Sequence, residues 1–128
     1  MSNLTNLRKK TKYVETLTFQ LDGANYYLTD ELELRGRTVA WIGFPAAWTA
    51  AVLTALVNSS DDGDADTLLY DKAANGIWQL TTSVTGTSRV VRIPLSDFVG
   101  FQAVKFQSGT SAAQVDQTAA RVLTVGCV

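Results

Sequence analysis

The sequence is divided into short stretches of β-type character by turn-forming residues, and this division constrains the fold more than any other feature. Residues 16–21 alternate polar and apolar side chains, which is the period-two pattern of a strand with one buried face. Asp22 and Gly23 follow as a turn signal. About eight or nine such stretches recur at intervals of roughly 8–15 residues. We therefore predict an all-β, antiparallel β-sandwich that is jelly-roll-like.

The remaining strands are predicted from runs of β-branched and aromatic residues that end at Gly, Pro, Asn or Asp. They cover residues 32–34, 38–44, 52–57, 67–70, 77–81, 90–93, 103–107 and 120–125. Pro45 ends one of these runs and favours a corner up to Trp48. The Asn75-Gly76 pair is a hairpin signal, and Pro94 favours one 3₁₀ turn over residues 95–98.

The 128 residues fit one domain, and their charge is unevenly distributed. A basic run, Arg8, Lys9, Lys10 and Lys12, lies in residues 1–12, which we predict to be a flexible arm that either stays disordered or orders on a partner. Residues 13–128 form the predicted sandwich and contain seven basic and twelve acidic residues, a balance of −5. We expect no nucleic-acid partner, because the body has no basic surface and four charges bind nucleic acid only weakly.

The chain is poor in the residues that catalyse reactions. It has no histidine, which removes Ser–His and Cys–His nucleophilic pairs and the usual zinc sites. Its single cysteine, Cys127, lies among valines and is interpreted as a small apolar filler. The sequence lacks both the apolar core of a signal peptide and an apolar run of about 18 residues, so we expect synthesis in a cytoplasm and no membrane partner. We predict no catalytic residues, no cofactor and no enzyme.

One acidic loop is the only candidate for a metal site. Asp62, Asp64 and Asp66 have the alternate spacing of a calcium loop. The later positions do not fit, because Thr67 stands where that loop needs glycine and Ala73 where it needs glutamate. We interpret the run as a solvated loop, with a weak Ca²⁺ site as the alternative, and predict no metal.

The aromatic residues allow a binding hypothesis. Trp41 and Trp78 lie within strand patterns and are predicted to be core residues. Trp48 follows Pro45 and is the least committed to a strand. The three tryptophans with Tyr26, Tyr27 and Tyr70 could form a flat platform on which sugar rings stack, and Trp48, Tyr26 and Tyr27 are the residues we select for it. The alternative is that Trp48 closes the end of the sandwich.

An ordered set of motifs resembles small structural proteins of tailed bacteriophages over roughly residues 37–125. The motifs are residues 45–51, Leu53-Thr54, Ser60, Asp62-Gly63, residues 69–71, residues 97–100, Val104-Lys105, residues 108–110 and residues 117–121. Gln107 and Gln114 depart from the pattern, where Arg and Pro are commoner. From the motif residues themselves we expect Asp97 to cap its short turn and Ser108, Thr110 and Gln117 to hydrogen-bond across the last loop.

The resemblance implies a virion structural protein on the capsid surface. We expect a head decoration or cement protein that binds the major capsid protein and stabilises its lattice, as homotrimers, with the arm extending over a neighbouring subunit. The rival hypothesis is a tail, baseplate or fibre module that binds a carbohydrate or a receptor.

Overall fold

The computed structural model describes residues 13–60, 63–72 and 76–128. Predictions about residues 1–12, Asp62, Ala73 and Asn75 lie outside these ranges. The described regular structure consists of twelve strands and one 3₁₀ helix, Leu95–Asp97. The strands are β1 (Val14–Asp22), β2 (Asn25–Thr29), β3 (Leu32–Glu33), β4 (Val39–Gly43), β5 (Leu53–Asn58), β6 (Ala65–Leu68), β7 (Tyr70–Asp71), β8 (Gly76–Ile77), β9 (Gln79–Leu80), β10 (Val90–Arg92), β11 (Ala103–Ser108) and β12 (Val122–Cys127).

Eight of these strands pair in the order of a jelly roll. Taking β1, β2, β4, β5, β6, β10, β11 and β12 as first to eighth, the first pairs with the eighth, the second with the seventh, the third with the sixth and the fourth with the fifth. All of these pairs are antiparallel. This is the arrangement produced when one long antiparallel ribbon winds into two facing sheets. The predicted all-β, jelly-roll-like sandwich is therefore confirmed.

The first sheet has the order β10-β4-β12-β1, and the second has β2-β11-β5-β6. Strand β1 belongs to both, because residues 14–18 pair with β12 while residues 19–22 pair with β2. A register shift between Gln20 and Leu21 lies in the second part of β1. Such irregularities bend a strand and increase its twist. The result is a single curled sheet that encloses the core between its two halves.

The core is rich in aromatic side chains. Phe98 and Phe106 have no exposed surface, and Trp78 is only 4% exposed. The Trp78 ring lies edge-on to Phe98, with ring centroids 4.9 Å apart. This confirms Trp78 as a core residue. Cys127 is also buried, as expected for a small apolar filler.

Strand β2 was not predicted from the sequence. Its first residues, Asn25, Tyr26 and Tyr27, show no alternation of polar and apolar side chains, so the period-two signal is absent. The Asp22-Gly23 turn that precedes it is a hairpin turn, with Gly23 at φ +64°. The corner at Pro45 and the 3₁₀ helix after Pro94 were both predicted correctly.

The motif residues of the last third hold the fold together. Gln117 is fully buried, and its side chain pairs with the main chain of Thr49 in both directions at 2.8 Å while also donating to Ser108 Oγ at 2.7 Å. Gly109 has φ +85°, and a Cβ there would lie 2.4 Å from the Ala113 carbonyl oxygen. The expected hydrogen bonds across the last loop are confirmed for Ser108 and Gln117.

Asp97 has a different role from the one predicted. The 3₁₀ helix has no side-chain cap. The Asp97 carboxylate instead accepts a hydrogen bond of 2.9 Å from the indole N–H of Trp78. The capping prediction was wrong because the buried indole N–H of Trp78 lies within reach of the carboxylate, and a buried N–H that lacks a partner is costly.

Candidate protein-binding surfaces

The predicted ligand platform does not form. Trp48 is only 9% exposed and packs against Phe19 and Phe44, with ring centroids 5.6 and 4.9 Å apart. The corner after Pro45 turns the indole inward, so it closes the core, as in the alternative interpretation. Tyr26 packs against the core, and the Tyr27 hydroxyl donates to Asp22 at 2.9 Å. The prediction that these three residues form an exposed platform was wrong.

The other predicted sites are only partly described. Arg8, Lys9, Lys10 and Lys12 lie outside the described residues, so their partner-binding role stays a prediction. Asp64 and Asp66 are exposed, and Asp62 is not described. Within residues 13–60, 63–72 and 76–128, no group of three or more His, Cys, Asp or Glu side chains is placed to hold a metal ion.

Two surfaces of the body have properties that are typical of protein contacts. The first is an open groove of about 980 Å³ between the β7–β8 hairpin and the segment that contains the 3₁₀ helix. We call it the Tyr70 groove. Its apolar lining consists of Leu69, Tyr70, Trp78, Pro94, Val99 and Phe101.

The Tyr70 groove exposes large apolar side chains above a rigid base. Tyr70 is 65% exposed and Val99 is 63% exposed, while Leu95 on the adjoining 3₁₀ helix is 53% exposed. The base is fixed because Trp78 is packed against Phe98 and hydrogen-bonded to Asp97. Asp71, Lys72 and Ser96 add a polar lining. An apolar patch with polar residues at its margin is typical of a protein-binding site.

The second surface is the outer face of the first sheet, which we call the Trp41 face. The strand register places its residues in three rows across the sheet, since side chains of one row point to the same side. The rows are Arg92–Trp41–Gly126–Val14, then Val90–Gly43–Thr124–Thr16, then Val122–Thr18. Arg92, on the edge strand β10, is the only charged residue among these ten.

Trp41 lies across two glycines on this face. A Cβ built on Gly126 would be 2.0 Å from the Trp41 indole, and one on Gly43 would be 3.5 Å from its six-membered ring. The indole therefore covers the bare main chain of both strands. Trp41 is partly exposed and is not a member of the core. The prediction that it is a core residue was wrong, because its strand position points away from the enclosed side.

In the last loop, the Asp116 carboxylate has a structural role. The Asp116 carboxylate accepts hydrogen bonds from the main-chain N–H groups of Tyr26, at 3.0 Å, and Thr118, at 2.8 Å. These bonds favour the charged form and lower the pKa of Asp116. Burial raises the pKa of the Cys127 thiol, which makes it a poor nucleophile at neutral pH.

Comparison with known proteins adds no relatives. No family model, no curated protein and no solved structure matches this chain. Within the described residues, no helix has the length and apolar character needed to cross a membrane.

Sequence reasoning named Tyr70 among the aromatic residues of a possible sugar platform, but it did not indicate the groove and it missed the Trp41 face. Tyr70 was assigned to a strand, and its exposure depends on β7 pairing only with the short strand β8. For the Trp41 face a signal exists, because residues 38–44 and 122–128 contain no charged residue. Strands that are uncharged on both faces are typical of sheets covered on both sides.

Proposed function

We propose that this chain is a structural protein of a tailed-phage particle, a decoration protein that attaches to the capsid surface and stabilises the lattice of the major capsid protein. The order of motifs across residues 37–125 supports the assignment to phage particles. The jelly roll is compatible with it, but viral coat proteins and lectin domains share that fold. Fold alone therefore does not choose between them.

The Tyr70 groove is the observation that carries the proposal. Tyr70 and Val99, which both line the groove, and Leu95 on the adjoining 3₁₀ helix leave more than half of their surface open, and large exposed apolar patches are rare on soluble monomers. The base under them is held by packed aromatic rings, so little ordering is needed when a partner binds. We infer that an apolar edge of the capsid protein fills this groove.

Attachment of many copies does not require strong single contacts. Each copy contributes one groove and one basic arm, Arg8 to Lys12, and simultaneous contacts raise the overall avidity. The arm faces an acidic neighbour in this proposal and adds a salt-dependent contribution.

A second candidate is a carbohydrate-binding module of the tail or fibre. The exposed ring of Tyr70 favours it, because the ring lies beside the carboxylates of Asp71 and Asp97 in one groove. A sugar would stack on the ring and donate hydroxyl hydrogen bonds to the carboxylates. The two candidates use the same groove, so a single pair of variants tests both.

The test measures occupancy on purified particles of the source phage that lack this protein. Val99→Glu places a charge in the groove, and Val84→Glu, at an exposed valine outside both surfaces, is the matched control. We expect Val99→Glu to weaken attachment at least about tenfold, because an unpaired charge is then desolvated in the contact. The control should attach like the wild type.

Equal occupancy of both variants would show that the groove is not the capsid contact. Failure of the wild-type protein to bind particles, together with saturable binding to an immobilised host glycan that Tyr70→Ala abolishes, would replace the decoration proposal with the carbohydrate module.

A further inference from the structure

Within the part of the chain that the structure describes, the Trp41 face is an uncovered sheet face with no charge on its central strands. Strands β4 and β12 present Trp41, Gly43, Val122, Thr124 and Gly126 to the outside. A sheet with one solvated face normally alternates apolar and polar residues, with charged side chains outward. Here the outward positions are apolar, small or hydroxyl-bearing, so the sheet is built to be covered on both sides.

We propose that a second copy of this chain covers the Trp41 face, so that two copies pack face to face about a two-fold axis. In such a contact both copies bury the same surface patch, so a net charge on the patch faces a charge of the same sign on the other copy. The body as a whole carries a balance of −5 over residues 13–128. The ten residues of the Trp41 face include no carboxylate, so two acidic bodies can approach over it, and its one charge, Arg92, lies on the edge strand β10.

The geometry of the face suits a flat contact. The indole of Trp41 lies across Gly43 and Gly126, two positions that carry no side chain of their own. Val90 at the β10 edge is 72% exposed and would be buried by a facing copy. Tryptophan is among the residue types that contribute most to binding energy at protein contacts.

The area of the Trp41 face determines how strongly two copies are expected to associate. Four strands about 4.8 Å apart and three rows about 7 Å apart give a patch of roughly 20 by 20 Å. Two facing copies would bury about 800 Å² in total, which is below the roughly 1,200 Å² of standard specific interfaces and in the range of weak, transient contacts. We therefore expect a concentration-dependent dimer that dissociates on dilution. It replaces the trimer expected from the phage resemblance, and it would give each assembly two Tyr70 grooves.

The dimer is tested in solution with the full-length protein, without any phage particle, so its outcome is independent of the capsid proposal. Sedimentation velocity across a dilution series gives the mass directly. We expect the wild type to move from monomer to dimer as concentration rises through the micromolar range. A monomer at every concentration up to about 1 mM, or a trimer, would overturn the proposal.

Two variants test the surface, and the first has a matched control. Val90→Glu should raise the dissociation constant at least about tenfold because the contact removes water from the new charge, whereas Val84→Glu should leave it unchanged. Gly126→Ala adds no charge but needs the space that the Trp41 indole occupies, so it should displace the ring and weaken the dimer. A dimer of wild-type strength in both Val90→Glu and Gly126→Ala would place the contact elsewhere, provided that circular dichroism shows both variants folded.

Discussion

At the scale of single residues, two buried tryptophans differ in one hydrogen bond. The indole N–H of Trp78 donates to Asp97, whereas the buried indole N–H of Trp48 has no partner among the residues that the structure describes. A buried donor without a partner costs about 1–3 kcal/mol, and so does an acceptor that loses its donor. The two tryptophans therefore contribute differently to stability although both pack against phenylalanine rings.

Replacing each tryptophan by phenylalanine separates these effects. Trp78→Phe leaves the Asp97 carboxylate without its donor, while Trp48→Phe removes an N–H that had no acceptor. We expect Trp48→Phe to cost at least about 1 kcal/mol less than Trp78→Phe in the free energy of unfolding. Urea denaturation measures both, and the reverse order would contradict the hydrogen bond to Asp97.

The Asp116 carboxylate makes the free energy of unfolding depend on pH. Its pKa is lowered in the folded state by two main-chain hydrogen bonds, so its contribution is present above the unfolded value of about 3.9 and is lost as pH falls through the lower folded value. Asp116→Asn keeps an oxygen acceptor at every pH. We expect the urea midpoint of this variant to fall less between pH 5 and pH 2 than that of the wild type, with Asp66→Asn as the control. Parallel pH profiles for wild type and Asp116→Asn would rule out this contribution.

At the scale of elements, Gln117 connects the corner after Pro45 to strand β11. Its side-chain amide both donates a hydrogen bond to the Thr49 main chain and accepts one from it, as a residue of a neighbouring strand would. Gln117→Ala leaves those groups and the Ser108 hydroxyl without their partner. We expect a loss of at least about 3 kcal/mol in the free energy of unfolding.

Gln114→Ala is the matched control for this element, because Gln114 lies in the same loop with its side chain exposed. It should change stability by less than about 0.5 kcal/mol. If the two alanine variants were equally stable, the loop would be held by something other than Gln117.

The arm is tested as an element by deleting residues 1–12. The first described strand, β1, begins at Val14, so the deletion removes no described pairing. We expect an unchanged thermal midpoint and weaker attachment to particles at low salt, because four basic residues are lost. Equal occupancy at every salt concentration would remove the arm from the proposed contact.

Strands with clear alternation could be predicted from the sequence, and strands without it could not. Residues 16–21, with alternating polar and apolar side chains, correspond to β1, whereas the Asn-Tyr-Tyr run of β2 carries no periodic signal. Some residues that carry the phage resemblance, such as Ser108, Gly109 and Gln117, are buried structural residues, whereas Tyr70 and Val99 of the same motifs are exposed and line the Tyr70 groove. The motifs alone therefore do not separate residues that hold the fold from residues that lie on a binding surface.

At the scale of the whole molecule, the exposure of a side chain decides whether it can bind a partner. That exposure depends on pairing between strands that are distant in the sequence. Trp41 and Trp48 are seven residues apart, yet one lies on the outer face and the other closes the core. The local sequence does not distinguish them. The Trp41 side chain lies on the outer face because β4 pairs with β12, whereas the Trp48 side chain packs against Phe19 and Phe44. The fold class was predictable, whereas the sequence did not indicate which aromatic side chains face the solvent.

Cryo-electron microscopy of the source particle, with this chain fitted into the density, tests the central claim most directly. We predict density for the jelly roll on the outer surface of the capsid, with Tyr70, Leu95 and Val99 against the major capsid protein and the Trp41 face turned to another copy. Density for this chain only in the tail or fibres, or on the capsid with the Tyr70 groove open to solvent, would contradict the proposed function.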